Sequence, residues 1–348
     1  MAIVDADAHV LETPDTWSFM EENDRAFMPM IVTQTHGGEV LSNAGAIQHD
    51  YWVIENRING KDRNVGLDTT KESREMASVD ARLSHMDELG IDIQVLYPTL
   101  FLRPVARDHR REFALARSYN RWLAEIWKQG HGRLRWVALP PLRSQDRLRD
   151  EMKFAKDNGA CGIFLRGLED ERNIADPYFH PLYALAEELD LPICMHSGNG
   201  SFLHHDFFQL DTTFTKFKLA VVGAFHSLLE KGIPSLFPKL RWGFIEVSAQ
   251  WVPYVLNDLE DRFRRNGKTF WDNPLADNNM YVACEVTDDL GYVVGCAGED
   301  QLMLGTDYGH HDPSAEIKAF KLIREQGLED RVVEKIIDHN PRVFYGLR

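Results

Sequence analysis

The sequence predicts an α/β fold, a distorted (β/α)8 or TIM barrel with long insertions after its first and fifth strands. Three observations predict it. Eight short apolar runs alternate with amphipathic stretches along the chain, the pattern of βαβ units feeding a parallel sheet. Carboxylates and imidazoles, the side chains that hold Zn²⁺, Mn²⁺ or Fe²⁺, stand where several runs end: Asp7 and His9 on the first, His196 on the fifth, Asp307 on the eighth. Functional groups at the carboxyl ends of several strands mark the working face of a barrel. Closure also sets the first strand beside the eighth, so that Asp7 and Asp307 can meet, which an open sheet makes harder.

The first strand covers residues 3–9, and its alternation turns Asp7 and His9 to one face. Residues 14–75 are polar, rich in Asn, Gly and Thr, with few periodic apolar positions. They read as an excursion serving as a lid or an oligomer contact. The second strand, 92–98, is stopped by Pro98. Leu115, Tyr119, Trp122 and Ile126 then fall at helical spacing, with Gly130 as C-cap. The charged run 107–112 is the solvated start of that helix. Strands follow at 134–139 and 161–165. The stripe Leu182, Leu185, Ala186 and Leu189 makes a helix that ends before Pro192, and the fifth strand, 192–196, ends in His196.

Residues 197–236 hold a second insertion carrying Phe202, His204, His205, Phe207 and Phe208, a pocket wall or an interface. The sixth strand, 241–246, precedes a helix marked by Trp251, Val255 and Leu259. Strands at 281–285 and 301–306 complete the set. No repeat or linker-like segment interrupts the chain, so residues 1–348 are expected to form a single domain with 14–75 as an insertion.

A net charge of −15 over 348 residues argues against nucleic acid or an anionic membrane as partner. No run approaches the roughly 18 apolar residues of a membrane span. The N-terminus enters a strand without a signal-peptide pattern, which leads us to expect a cytoplasmic protein. Cys161, Cys194, Cys284 and Cys296 form no CxxC pair; the first three lie in apolar runs and read as reduced core thiols.

Several segments together resemble the amidohydrolase superfamily. They are 5–9 (Asp-Ala-Asp-Ala-His), 86–92 leading to Tyr97-Pro98, Met195-His196, and 237–241 leading to Glu246 and 251–253. The last two are 305–310 around Asp307 and the closing 340–346. The nearest branch is that of the metal-dependent, aminocarboxymuconate semialdehyde decarboxylase-like enzymes. The resemblance implies a divalent metal held by Asp7, His9, His196 and Asp307, with Zn expected and Mn or Fe as alternatives. It also implies a small-molecule substrate and a homo-oligomer, a dimer. Relatives often begin with His-x-His or Glu-x-His where this chain has Asp7-Ala8-His9, which favours harder ions. Many also carry a His where Glu246 stands.

Glu246 is read as an active-site group, or else as a buried partner of Arg166. His310 is read as touching substrate or a second metal. Arg166 either binds a substrate carboxylate through its planar fork or makes a barrel-rim ion pair. His226 fits a helix face or the site equally, at most one of His204 and His205 faces the site, and Glu285 lies at the barrel mouth or in a salt bridge. The expected function is a non-oxidative decarboxylase or hydrolase of a small aromatic or unsaturated carboxylic acid, with Asp307 as the proton-handling group. The alternatives are a dinuclear non-haem iron oxygenase and a degenerate, non-catalytic barrel subunit.

Overall fold

Val, Ile, Leu and aromatic residues dominate the apolar runs, and each run forms a strand. The computed structural model describes residues 2–34, 49–61, 64–209 and 213–347. Eight parallel strands pair in chain order. They are β1 (Val4–Val10), β2 (Ile93–Pro98), β3 (Leu134–Ala138), β4 (Ala160–Arg166), β5 (Ile193–His196), β6 (Trp242–Ile245), β7 (Met280–Cys284) and β8 (Leu302–Leu304). Between them run α1 (Val79–Leu89), α2 (His109–Gln129), α3 (Leu148–Asp157), α4 (His180–Glu188), α5 (Leu219–Glu230), α6 (Val252–Arg265) and α7 (Leu290–Ala297). This is the predicted (β/α)8 barrel, nearly closed. The seam between β1 and β8 closes just past β8, through an isolated parallel bridge between Ala8 and Tyr308.

The barrel wall is almost wholly apolar. Leu134, Trp136, Ile163, Leu165, Trp242 and Phe244 are fully buried, and each large aliphatic among such residues contributes roughly 1.5–3 kcal/mol. Cys161, Cys194 and Cys284 are buried free thiols, as expected, and Cys296 is exposed. On α2 the stripe Leu115, Tyr119, Trp122 and Ile126 faces inward, and the Asp108 side chain accepts the Arg111 N–H to cap the helix start. Gly130 ends α2 with φ −79°, so left-handed backbone is not the reason for glycine. A Cβ there would meet the Leu134 Cβ at 2.8 Å.

β1 runs one residue past its predicted end. Asp7 and His9 lie inside it rather than at its end, with a register shift against β2 between Asp5 and Ala8. The first insertion holds an antiparallel sheet that its polar composition concealed, made of Met30–Gln34, His49–Ile54 and Arg57–Gly60. Trp17 packs edge-on to Trp52 at 5.8 Å and contacts Phe101, anchoring the insertion beside β2. Farther on, Gly66 N–H donates to the Gly309 carbonyl at 3.0 Å and His311 N–H to that of Asn64 at 3.0 Å. The insertion therefore lies against the loop after β8. Residues 35–48 and 62–63, part of the predicted 14–75 excursion, lie outside the described residues. The second insertion carries the helix Phe202–Phe207 and the π-helical turn Phe214–Lys218. Among the described residues no helix is long and apolar enough to cross a membrane.

Gly305 permits the close approach of β8 to β1. A Cβ at this position would stand 2.4 Å from the Asp7 Cβ and 2.8 Å from its amide nitrogen. Gly305→Ala is expected to lower unfolding free energy by about 3 kcal/mol, the upper part of the overpacking range. Urea unfolding measures it; a loss well under 1 kcal/mol would show that the seam is looser than described.

Candidate metal centre

Inward-facing positions of four strands bring six polar side chains to one end of the barrel. β1 supplies Asp7 and His9, β5 supplies His196, and the residues just past β6 and β8 supply Glu246, Asp307 and His310. All six are buried. Glu246 and Asp307 adopt positive φ, 59° and 51°. For non-glycine residues that conformation costs about 1–3 kcal/mol and persists where surrounding structure enforces it.

The outer nitrogens of the two strand histidines settle what the inner ones present. His9 Nδ1 lies 3.0 Å from the Pro98 carbonyl, and His196 Nδ1 lies 3.0 Å from that of Ser197. A carbonyl only accepts, so each Nδ1 carries a proton, and Nε2 is the nitrogen each ring turns inward as a ligand atom. Those two Nε2 atoms are 3.1 Å apart. Asp7 Oδ1 lies 3.2 Å from His196 Nε2 and 3.5 Å from His9 Nε2. Glu246 Oε2 is 3.2 Å from His196 Nε2, and Asp307 Oδ1 is 3.4 Å from His9 Nε2. Burial holds His9 neutral by pushing its pKa well below the ordinary range, with His310 and His196 adding to the effect.

His310 follows the same logic with its nitrogens exchanged. The Thr99 hydroxyl donates to the Val10 carbonyl at 2.8 Å, so it accepts from His310 Nε2 at 3.0 Å. That leaves the Nδ1 lone pair facing Asp307 Oδ1 at 2.7 Å. Glu246 Oε2, both Asp307 carboxylate oxygens and His310 Nδ1 are buried without a hydrogen-bond partner. Lone pairs converging in this way repel unless a cation or shared protons stand among them. One donor atom each from Asp7, His9, His196 and Glu246 fall within 4.8 Å of one another, as do those of His9, Glu246, Asp307 and His310. The donor set therefore fits a divalent ion, and the predicted residues Asp7, His9, His196 and Asp307 come together with Glu246 and His310.

Other candidates lie elsewhere. Arg166 Nε and Nη2 donate to the two Glu169 oxygens at 2.8 and 2.5 Å, and Nη1 donates to the carbonyls of Phe101 and Arg103. Its fork is thus occupied, and it pairs with Glu169 rather than Glu246. His226 pairs with Asp258 across α5 and α6 at 3.1 Å. His204 and His205 sit on the helix Phe202–Phe207 and belong to neither quartet. Glu285 accepts from Lys218 at 2.9 Å. His311 is exposed.

Three contributors escaped sequence reasoning. Asp312, held by Asn64 at 2.8 Å, sets negative charge beside the pair Glu246 and Asp307. Lys218 opposes it with positive charge. Tyr97 lays its ring 4.9 Å from that of His196. The spacing of Asp312 five residues after Asp307 was the available signal; Lys218 gave none, because its place depends on the π-helical turn.

A barrel with a buried carboxylate–imidazole cluster at one end defines a metal-binding α/β-barrel protein. The Amidohydrolase family model matches residues 4–347, and the chain belongs to that family. A γ-resorcylate decarboxylase from Rhizobium sp. (strain MTP-10005) is 26% identical over 165 residues, which is 45% of each chain. The match thus spans less than half the length of that curated relative. An amidohydrolase structure from Mycobacterium avium subsp. paratuberculosis superposes with TM-score 0.80 at 18% identity, covering 100% of this chain and 98% of that one. A 5-carboxyvanillate decarboxylase from Novosphingobium aromaticivorans, solved with bound manganese, gives TM-score 0.63 at 19% identity over 76% and 80% of the two chains.

Burial also raises carboxyl pKa values: Asp5 to about 6, Glu12 and Glu112 to about 7, and Glu246 and Asp307 well above their ordinary range. Each such group takes up a proton on folding between its unfolded and raised values, so stability falls as pH rises through that interval. Buried neutral His9 and His310 act in the opposite sense, but only below about pH 6.5. The melting temperature of chelator-treated protein is therefore expected to fall between pH 6.5 and 8.5, and added divalent ion is expected to restore it at the upper end. A flat or rising profile would contradict these environments.

Proposed function

We propose that this chain is a metal-dependent carbon–carbon lyase that removes CO₂ from a small aromatic or unsaturated carboxylic acid. The observation that carries the reading is the convergence of inward lone pairs from His9 and His196 with Asp7, Glu246 and Asp307. The decarboxylases among its relatives favour a lyase over a hydrolase. Asp7, His9, His196 and Asp307 would hold the ion, with Glu246 and His310 beside them. When bound, a divalent ion supplies positive charge that orients an anionic substrate and draws electron density from the reacting centre. Zn²⁺ is the ion expected from the sequence; three carboxylates among the donors suit Mn²⁺ as well.

Asp307 is the proposed proton donor. In the metal-free site burial first, and then the charge of Asp312 and Asp7, push its carboxyl well above the ordinary range; with the ion held, that same demand for a proton would make Asp307 the group through which one reaches the substrate carbon. As the bond to the departing carboxylate breaks, its electron pair stays on the substrate carbon and takes the proton from Asp307. The lone pair of His310 Nδ1, 2.7 Å from Asp307 Oδ1, steadies that carboxyl. Arg166, with its fork engaged by Glu169, shapes the mouth rather than gripping the substrate.

The proposal covers one catalytic domain over residues 1–348. The 14–75 insertion acts as a lid, a role supported by the hydrogen bonds of residues 64–66 to the loop carrying His310. It further takes the active form to be a cytoplasmic homodimer, as the family resemblance and the sequence imply; sizing chromatography tests the dimer.

A second reading, a dinuclear iron oxygenase, is supported by the two overlapping donor quartets, which share His9 and Glu246. Elemental analysis separates the readings. About one Zn or Mn per chain, lost in His196→Ala, supports the lyase; two metals with iron would turn attention to O₂ consumption. With γ-resorcylate and 5-carboxyvanillate as probes, Asp307→Asn is expected to lower the CO₂-release rate at least about 10²-fold, the scale of a general acid. Wild-type turnover in that variant would sink the assignment, and absence of metal from the wild type would favour a degenerate subunit.

A further inference from the structure

Backbone pairing is sparsest where the barrel closes, and that seam carries Asp7, His9 and Asp307. Three backbone hydrogen bonds cross it: Thr306 N–H and Asp307 N–H donate to the Asp7 carbonyl at 3.2 and 3.0 Å, and His9 N–H donates to the Tyr308 carbonyl at 2.9 Å. Beneath them runs a chain of polar side chains, each 0% exposed: Arg82, Gln94, Asp5 and Thr306. Arg82 Nε donates to Gln94 Oε1 at 2.7 Å, and Gln94 Nε2 donates to Asp5 Oδ2 at 2.9 Å. The Thr306 amide and hydroxyl donate to Asp5 at 2.9 and 2.7 Å. Arg82 closes the circuit by donating from Nη1 to the His9 carbonyl at 3.1 Å, its guanidinium 3.6 Å from the centre of the Tyr308 ring.

This arrangement is expensive as a mere filler. A buried cation and a buried carboxyl separated by an amide stabilise a core no better than apolar side chains of the same shape. Arg82 Nη2 is left without a partner. What the chain does achieve is geometric. Arg82 only donates, so it fixes the orientation of the Gln94 amide. Gln94 then fixes Asp5, and Asp5 grips Thr306, the residue before Asp307. Both sides of the seam are thereby tied to one guanidinium, through the His9 carbonyl on β1 and through Thr306 past β8.

We propose that Arg82, Gln94, Asp5 and Thr306 are positioning residues that set the spacing of Asp7, His9 and Asp307 and thereby the affinity of the centre for its ion. The proposal rests on the reading of that centre as a metal site. Groups behind metal ligands typically change affinity 10–100-fold when removed. Thr306→Val keeps the shape and deletes one hydroxyl. Mn²⁺ binding to chelator-treated protein, followed by calorimetry, is expected to weaken 10–100-fold in Thr306→Val and to recover in Thr306→Ser. Urea unfolding of the same metal-free samples reports any purely structural loss. An unchanged Mn²⁺ dissociation constant in Thr306→Val, whether or not its metal-free stability drops, overturns the proposal while leaving the metal reading intact. Wild-type protein that binds no Mn²⁺ overturns both. Should Thr306→Val fail to fold, Gln94→Met breaks the same chain between Arg82 and Asp5, with the same loss expected and the same result contradicting it.

Discussion

Mutual repulsion among buried lone pairs is the constraint from which the rest of this molecule follows. The Nε2 atoms of His9 and His196 face one another at 3.1 Å because backbone carbonyls take the protons on their far nitrogens. Carboxylate oxygens of Asp7, Glu246 and Asp307 crowd the same space. Removed from water, such a group of donors destabilises the fold unless positive charge stands among them. A divalent ion answers that need for every donor at once. Protons can answer it only in part: burial drives the Glu246 and Asp307 carboxyls upward, toward holding one, and His9 downward, away from holding one.

The barrel serves that cluster by closing imperfectly. β8 is three residues long, and the backbone hydrogen bonds to β1 come from the residues just past it, Thr306 to Tyr308. The slack lets the chain leave the sheet at Gly305 and enter the left-handed backbone of Asp307. A regular ladder would have aimed Asp307 elsewhere. Side-chain hydrogen bonds around Asp5 then supply the rigidity that the missing ladder does not. Strain at Asp307, a short strand and a buried guanidinium thus belong to one arrangement at the seam.

Much of this was legible in the sequence. Alternating apolar runs located all eight strands, because a buried parallel strand is nearly continuous in hydrophobic residues. Asp7, His9, His196 and Asp307 stood out because they end or interrupt such runs. Glu246 and His310 were visible as candidates but not as neighbours of His9 and His196, since their placement depends on positive φ and loop path. Arg166 was left open between a substrate carboxylate and a barrel-rim ion pair; its partner Glu169 is three residues on, across a turn that periodicity does not describe. The small sheet at Met30–Gln34, His49–Ile54 and Arg57–Gly60 was missed because its strands are short and lie within a largely polar insertion. Lys218 reaches the site edge through a π-helical turn that has no sequence signature.

The claim that one cation resolves the cluster is tested most directly by anomalous X-ray scattering from crystals grown with Mn²⁺. The account predicts a strong peak bonded to Nε2 of both His9 and His196 and to carboxylate oxygen, at about 2.0–2.2 Å. A peak elsewhere on the protein, or none with His9 and His196 drawn together by shared protons, would contradict it.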